Sequence, residues 1–250
     1  MISVVLLGTG NVSTHLLAAF NAAQNVQVVQ VYGRSKAALQ RMAKDVPYTS
    51  NLNELMEAAV YVLAISDDQI ADVANQIGNK NALLVHTSGT QPLSVLKKHS
   101  RRGIFYPLQT FSPGMQLNFN KIPMCLEVAN HKDRPLLEDL ARAISQKVYF
   151  MDSLKRKKIH LAAVFVNNFT NHLYHLGEDI CNRNELPFDM LHPLIEETAK
   201  KIKSMRPIEA QTGPARRNDQ QTIKQQESQL AEIPLELYTL FTASIKKTYE

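Results

Sequence analysis

The first thirteen residues constrain the fold of this chain more than any other stretch. Positions 2–7 form a short apolar run rich in β-branched residues, and Gly-Thr-Gly-Asn-Val-Ser follows directly at positions 8–13. A helical pattern then runs from His15 to Ala23. A buried strand, a tight glycine turn and a helix N-terminus form the arrangement that binds a dinucleotide pyrophosphate. We therefore expect a nucleotide-binding unit here; the alternative is a plain strand, turn and helix whose glycines only shape the turn.

The residues of this turn have distinct predicted roles. Gly8 allows the sharp turn, and Gly10 has no Cβ, so phosphates can approach the backbone. The N–H groups of the first helical turn then face the anion. Ser13 stands where a third glycine is usual; it is small enough for close packing, although the match is imperfect. The predicted cofactor-binding residues of the turn are Gly8, Thr9, Gly10, Asn11, Val12 and Ser13.

The end of the second predicted strand, Val26 to Tyr32, indicates which dinucleotide is bound. A site that prefers NAD places an acidic residue there to bond the ribose 2′-hydroxyl. This chain has Gly-Arg-Ser at positions 33–35 instead. Because a guanidinium pairs well with a 2′-phosphate, Arg34 and Ser35 favour NADP over NAD. The alternatives are a solvated Arg34 and a Ser35 that only caps the helix predicted at 36–44.

Strands and helices alternate through the first 151 residues, and the pattern is helical from Asp152 onward. Alternation of this kind predicts a doubly wound α/β domain. We therefore expect a doubly wound, Rossmann-like parallel sheet in residues 1–151, followed by an all-α C-terminal domain in residues 152–250. The later strands are predicted at 59–65, 82–85, 103–106, 124–128 and 148–151.

Ligands of such sheets bind at the carboxyl ends of the strands, where the strand order reverses. The hydroxyl-rich strand ends at 66–68 and 86–90 are therefore expected to line the same crevice as the glycine turn. Ser66, Asp67 and Ser88 are accordingly predicted to bind the cofactor. Helix N-capping by Asp67 or Asp68 is the alternative. His86 is a candidate acid or base, and a histidine that only holds its loop is an equal alternative.

A long helix is predicted from residue 153 to about residue 182. Its basic start, 155–158, is interpreted as solvated, whereas 161–169 is apolar nearly all round and should be buried by a partner helix or a second subunit. A polar stripe at helical spacing is interpreted as the wall of a substrate site facing the nucleotide domain, with a helix–helix polar network as the alternative. The stripe comprises His160, Val164, Asn167 or Asn168, Asn171 and His175.

A second candidate anion site follows in the helical half of the chain. A Gly-Pro turn at 213–214 carries two arginines and an aspartate within the next five residues. Guanidinium groups on such a turn suit a carboxylate or phosphate. Arg217 and Asp219 are therefore predicted to bind substrate together with Asn167.

The composition limits the class of protein. Lys and Arg number 28 against 23 for Asp and Glu, a net charge of +5 that suits anionic small molecules and is too diffuse to indicate nucleic acid. No run approaches the roughly 20 apolar residues of a membrane span, and the chain starts directly with a strand, so neither a membrane segment nor a signal peptide is expected. The two cysteines lie far apart and lack a metal-ligand pattern. We therefore expect a cytoplasmic protein with reduced thiols and no metal.

Taken together, the motifs resemble a bacterial family with a Rossmann-like NADP-binding domain and a small helical domain. This family is similar in architecture to pyrroline-5-carboxylate reductase, ketopantoate reductase and the 6-phosphogluconate dehydrogenase superfamily. The resemblance implies an NADP-dependent oxidoreductase that dimerises through its helical domains. The motifs are GTGNVSTHL at 8–16, GRS at 33–35, LAISDDQI at 63–70, VHTSGT at 85–90, YPLQTFS at 106–112, HLAAVFVNNFTNHLY at 160–174 and TGPARRND at 212–219.

One departure from the superfamily concerns its catalytic lysine, which precedes an asparagine by one helical turn. The helix at 153–182 has no lysine four residues before an asparagine. If the protein is an active reductase, the proton donor must then be His86, His160 or a bound water, and Asn168 and Asn171 would orient the substrate. The catalytic candidates are therefore His160, Asn168, Asn171 and His86.

Two functional hypotheses follow. The first is a reductase that passes hydride between NADP and a carbonyl or imine carbon of a small substrate bearing a carboxylate or phosphate. The second is a non-catalytic NADP-binding protein that senses redox state or acts as a scaffold, which the missing lysine favours.

Overall fold

A computed structural model describes residues 1–78 and 81–249 of the chain. The chain forms two compact units, the first of residues 1–167 and the second from residue 168 onward. Within the described residues, no helix is both long enough and apolar enough to cross a membrane.

The first unit is built on one mixed sheet. Within the described residues eight strands pair in the order β3-β2-β1-β4-β5-β6-β7-β8. The strands are β1 (Ile2–Leu7), β2 (Val26–Tyr32), β3 (Tyr48–Thr49), β4 (Val60–Leu63), β5 (Leu83–His86), β6 (Arg102–Pro107), β7 (Met124–Val128) and β8 (Val148–Phe150). The helices of this unit are α1 (Asn11–Ala22), α2 (Lys36–Met42), α3 (Ile70–Gln76), α4 (Arg134–Arg142) and α5 (Ser153–Ala163).

The sheet confirms the predicted doubly wound α/β fold. β1 pairs in parallel with both β2 and β4, so the strand order reverses between β1 and β4. The sheet is not parallel throughout, because β7 runs antiparallel to β6. The connection between these two strands contains a single 3-10 turn at Phe119–Lys121 and no crossover helix, which a parallel pair would need.

The core lies on both faces of the sheet. On one face Leu16 and Phe20 of α1 and Leu140 of α4 pack against the strands. On the other face Ile70 and Ala74 of α3 do the same. Because both faces are covered, β4 is a continuous apolar run, and β1 is apolar at every position except Ser3.

Two connections in the first unit form only short 3-10 helices. The first is Leu52–Glu54, and the second is Leu93–Leu96. In the second case the backbone N–H of Leu93 donates to Ser153 Oγ at 3.0 Å. A contact 60 residues away in sequence therefore replaces a regular helical start.

The helix is the regular secondary structure of the second unit's described residues, as predicted. Its helices are α6 (Thr170–Arg183), α7 (His192–Lys201), α8 (Pro207–Ala210), α9 (Pro214–Arg217), α10 (Gln220–Glu227) and α11 (Glu232–Tyr249). The buried residues described in this unit are Cys181, Ala215, Ile223 and Thr242. The unit thus has a very small core for its length.

A π-helix at Val164–Phe169 links α5 to α6. Hydrogen bonds in a π-helix span five residues, so the 3.6-residue period on which the predicted polar stripe rests is not kept through this segment. The expected burial of 161–169 by a partner helix is wrong, because Leu161, Phe165 and Val166 are 59%, 61% and 74% exposed. Burial by a second subunit stays a prediction.

Candidate active site

The glycine turn after β1 is fixed by the strand that follows it in the sheet. Gly8 has a φ of +130°, and an alanine Cβ there would overlap the carbonyl oxygen of Ala64 and lie 2.8 Å from its carbonyl carbon. The N–H of Gly8 donates to Tyr32 O at 2.8 Å, and the N–H of Ala64 donates to Leu7 O at 2.7 Å. The ends of β1, β2 and β4 therefore meet at this turn, and the fold itself requires a glycine at position 8.

Gly10 differs, because the fold does not require a glycine there. Its backbone is extended, and a Cβ would meet no heavy atom of the described residues within 4 Å. It is the N-cap residue of α1, and no side chain of the described residues caps this helix. N–H groups at an uncapped helix start, beside a position without a side chain, suit an anionic group such as a pyrophosphate.

Ser13 gives the imperfect third position of the motif a physical role. Its side chain is fully buried, and Oγ donates to Gly8 O at 2.7 Å. The serine thus allows close packing of α1 and also ties the helix to the turn.

The end of β2 lies beside this turn. A Cβ on Gly33 would lie 2.5 Å from Thr9 Cγ2, so glycine allows the two loops to touch. Ser35 Oγ accepts from the N–H of Ala38 at 3.3 Å, which confirms that Ser35 caps α2. Arg34 is exposed, and its Nη1 donates to Gln69 Oε1 at 3.4 Å.

The loops after β4 and β5 are joined by hydroxyl groups. Ser88 Oγ donates to Asp67 Oδ2 at 2.8 Å, and Thr90 Oγ1 donates to the same oxygen. Ser88 Oγ in turn accepts from the N–H groups of Thr90 at 3.1 Å and Gln91 at 2.9 Å. The alternative role, an N-cap at Asp67 or Asp68, is wrong. Ser66 is the N-cap residue of a 3-10 turn at Asp67–Gln69, Gln69 is that of α3, and the Asp67 carboxylate accepts from the neighbouring loop.

His160 of α5 lies over the loop after β5. Its Nδ1 is 2.9 Å from the hydroxyl of Tyr106, near the end of β6. A Cβ on Gly89 would lie 2.5 Å from His160 Nδ1 and 2.9 Å from Tyr106 Cζ, so glycine makes room for both rings. Burial raises the pKa of Tyr106 to about 12, so its hydroxyl keeps its proton. Tyr106 was not among the predicted site residues; its signal in the sequence is a tyrosine at the end of a strand bordering the crevice.

His86 is fully buried beneath the same loop. Its Nδ1 accepts from the N–H of Ser88 at 3.2 Å. Burial, assisted by the nearby Arg156 cation, lowers the pKa of His86 to about 4. A neutral imidazole without solvent access cannot touch a substrate, so this geometry favours the loop-holding role over the acid–base role.

Arg156 corrects the interpretation of the basic run. Lys155, Lys157 and Lys158 are exposed, but Arg156 is 0% exposed. Its Nη1 is 2.5 Å from Glu127 Oε2 on β7. Within this run the helical period turns one residue inward, a distinction that composition alone does not reveal.

Comparisons with known proteins agree with this architecture. A Rossmann-like domain matches residues 1–111, and a domain of unknown function, DUF2520, matches residues 122–245. A protein of Bacteroides fragilis, described as a putative NADP oxidoreductase, is 38% identical with a TM-score of 0.90 over 98% of both chains. The chain belongs to the Rossmann-like/DUF2520 family. This confirms the resemblance found in the sequence. No curated protein matches the chain.

Structures with lower sequence identity share the fold of this chain. A protein of Thermotoga maritima is 25% identical with a TM-score of 0.76 over 98% of both chains. The pyrroline carboxylate reductase of Plasmodium falciparum, solved with NADP bound, is 16% identical. Its TM-score is 0.63, and the matched region covers 99% of this chain and 92% of that one.

Three of the predicted site residues lie farther along the chain. Asn167 is exposed in the first unit, and Asn168 and Asn171 are exposed in the second. Their roles in binding or orienting substrate stay predictions. Within the described residues, no group of His, Cys, Asp or Glu could hold a metal ion.

The anion site predicted at the Gly-Pro turn of the second unit is partly reassigned. Asp219 is the N-cap of α10 and accepts from the N–H and the hydroxyl of Thr222 at 3.1 and 2.8 Å. These bonds lower the pKa of the Asp219 carboxyl. The geometry thus favours a structural role for Asp219, whereas Arg217 is exposed and stays a predicted substrate residue.

Proposed function

We propose that this chain is an NADP-dependent oxidoreductase in which His160 exchanges a proton with the substrate. The observation that carries the proposal is the hydrogen bond between Tyr106 and His160 above Gly89. β5 lies two strands from β1, so the loop that carries Gly89 begins roughly 10 Å along the sheet edge from the glycine turn. The name of the 38% identical Bacteroides fragilis protein supports the same reaction class.

The residues of the turn fit a dinucleotide. The open position at Gly10 and the uncapped start of α1 would receive the pyrophosphate. The exposed Arg34 would pair with a 2′-phosphate. Positions 33–35 contain no acidic residue that would bind the 2′-hydroxyl of NAD instead. Ser66, Asp67 and Ser88 lie in loops at the ends of the next two strands and would contact the rest of the cofactor. When bound, NADP supplies or accepts the hydride.

Tyr106 sets the tautomer of His160 in this proposal. Burial raises the pKa of Tyr106 to about 12, so its hydroxyl stays protonated, and its oxygen can accept a hydrogen bond from a proton on Nδ1, 2.9 Å away. With Nδ1 protonated, Nε2 is the nitrogen that gains or loses the transferred proton. In reduction the imidazolium would donate its Nε2 proton to a substrate oxygen or nitrogen and be left neutral, with its remaining proton on Nδ1; in oxidation the neutral ring would accept a proton at Nε2.

The substrate in this proposal is a small carbonyl or imine compound with a carboxylate or phosphate group. The net charge of +5 favours such an anion. Asn168 and Asn171 would orient it, and Asn167 and Arg217 would bind its anionic group.

We also propose that the protein is a homodimer assembled through its helical domain. The second unit buries few residues, and large apolar side chains such as Leu173, Leu194 and Leu240 are exposed. A unit of this size with so small a core needs a further partner surface. Sedimentation equilibrium should give twice the mass of one chain, and a monomer at micromolar concentration would refute this part.

Calorimetric binding of NADPH and NADH tests the cofactor assignment. We expect NADPH to bind at least about tenfold tighter than NADH, a difference of about 1.4 kcal/mol that Arg34→Ala should remove. Lys36→Ala, at an exposed cation two residues away, is the matched control and should keep the preference. Equal affinities in the unaltered protein would refute the NADP assignment.

NADPH oxidation with a panel of keto acids and cyclic imines tests catalysis. His160→Gln should keep the NADPH affinity and lower kcat by roughly 10²–10⁴-fold, the usual contribution of a general acid. Lys157→Gln, on the exposed side of the same helix, should keep kcat. NADPH binding without turnover of any substrate would favour the second hypothesis, a non-catalytic redox sensor or scaffold.

A further inference from the structure

We propose that Arg156 is a positioning residue that holds His160 over Gly89 and against Tyr106. The inference rests on the proposed function, in which His160 exchanges the proton. The positioning role explains the buried ion pair between Arg156 and Glu127, neither of which takes part in the proposed proton exchange.

The guanidinium of Arg156 joins three parts of the first unit. Nη1 bonds Glu127 Oε2 on β7 at 2.5 Å, and Nη2 donates to Gln91 O in the loop after β5. Ser153, at the start of α5, donates from Oγ to Glu127 Oε2 at 2.7 Å and accepts from the N–H of Leu93 at 3.0 Å. The first turn of α5 is therefore fixed to the sheet and to the segment after β5.

These bonds determine the position of His160. Arg156 and His160 are four residues apart on α5, so they lie on the same face, one turn from each other. Gln91, which accepts from Arg156, is two residues from Gly89, which lies against His160. The loop and the imidazole are thus held by one side chain, whose planar fork can donate to two acceptors at once.

Stability alone does not explain this pair. Replacing a buried ion pair by apolar residues of similar size is often neutral or stabilising. The Nε atom of Arg156 is also buried without a partner in the described part of the chain, which adds a cost. Stability and positioning can therefore be separated by experiment.

The central variant is the double replacement Arg156→Met with Glu127→Met, which removes both charges and keeps flexible apolar volume. Its melting temperature and NADPH affinity should stay close to those of the unaltered protein. ¹⁵N spectra of histidine-labelled protein, with His160 assigned from His160→Gln, should change from one fixed tautomer to a mixture. kcat should fall at least about tenfold with little change in KM, since small misplacements of a reacting group are costly.

Two single variants complete the test. Arg156→Lys can keep the ion pair with Glu127 but not the second bond to Gln91 O, so its His160 spectrum should lie between the two extremes. Lys157→Met, on the exposed side of the same turn, should leave spectrum and kcat unchanged. If the double variant does not fold, Arg156→Lys alone decides the outcome.

The outcomes separate this inference from the proposed function. An unchanged His160 spectrum in the double variant, or in Arg156→Lys where the double variant does not fold, would overturn the positioning role whatever the activity. A changed spectrum in a protein that turns over no substrate would support positioning and refute the reductase. A changed spectrum with unchanged kcat would overturn the claim that the position of His160 serves catalysis.

Discussion

Replacing Gly8 or Gly10 with alanine separates the folding role of the glycine turn from its binding role. Gly8→Ala places a methyl group against the carbonyl group of Ala64, where both neighbouring atoms belong to the backbone. Because a backbone cannot rotate aside as a side chain does, β1 or β4 must shift. The φ of +130° adds strain for any residue with a Cβ.

The two costs can be estimated from their causes. A residue held in a sparsely populated backbone region costs about 1–3 kcal/mol. A forced backbone shift in a packed core costs about 1–3 kcal/mol more. Gly8→Ala should therefore lower the free energy of unfolding by about 2–6 kcal/mol, a large share of the roughly 5–15 kcal/mol of a typical protein.

Gly10→Ala should leave the fold almost unchanged. Its extended backbone suits alanine, and the added Cβ meets no described atom within 4 Å. Alanine is a poorer N-cap residue, which should lower the free energy of unfolding by up to about 1 kcal/mol. Alanine also reduces the conformational entropy of the unfolded chain, which should raise the free energy of unfolding by about 0.4–1 kcal/mol. The methyl group would instead occupy the space proposed for the pyrophosphate, so NADPH affinity should fall at least about tenfold.

Urea unfolding and calorimetric titration with NADPH measure the two effects on the same proteins, and each variant is the control for the other. An unfolding midpoint for Gly8→Ala equal to that of the unaltered protein would refute the steric argument. A Gly10→Ala protein that is stable and binds NADPH normally would refute the binding role of the turn.

Three further substitutions test single contacts. The pKa of His86 is lowered from 6.5 to about 4 in the folded protein, so the unfolded chain takes up this proton at a higher pH, and up to about 3 kcal/mol of the free energy of unfolding should be lost as the pH falls from 6.5 to 4. Urea unfolding of His86→Asn across this range should show a smaller loss, and a loss equal to that of the unaltered protein would contradict the argument from His86. Ser13→Ala breaks the buried bond to Gly8 O and should cost about 1–3 kcal/mol in urea unfolding, whereas an unchanged midpoint would show that packing alone holds α1. Because the pKa of Asp219 is lowered in the folded protein, the contribution of its carboxylate to stability is present at neutral pH and lost in acid. Asp219→Asn should therefore lower the melting temperature at pH 7 more than in acid. Equal losses at both pH values would exclude the bonds to Thr222 as the cause.

The sheet could be predicted from the sequence because its signal is local. β2 and β7 begin and end at the predicted residues, Val26–Tyr32 and Met124–Val128. Each is an apolar or alternating run of strand length, and the neighbouring strands only complete the pattern. The antiparallel direction of β7 was not predicted, because it depends on the absence of a helix in the connection before it.

The candidate site could be predicted only where its contacts are local. Ser35, with its bond to Ala38, and Gly8 follow from nearby sequence. Tyr106 reaches His160 across 54 positions, and Thr90 reaches Asp67 across 23. Such pairs depend on which strands are neighbours and on how far a helix extends, and a single sequence carries no direct signal for either.

The start of α5 supports the proposal that His160, rather than the histidines that follow it, exchanges the proton. Arg156 anchors the helix to β7 and to the loop after β5, and His160 lies only about 6 Å farther along the axis, at 1.5 Å per residue. Little error in position can accumulate over one turn. His172 and His175 are separated from the same anchor by the π-helix at Val164–Phe169, whose wider turn breaks the regular period. A group that must meet a reacting atom within a fraction of an ångström is therefore expected on the anchored turn, before that break.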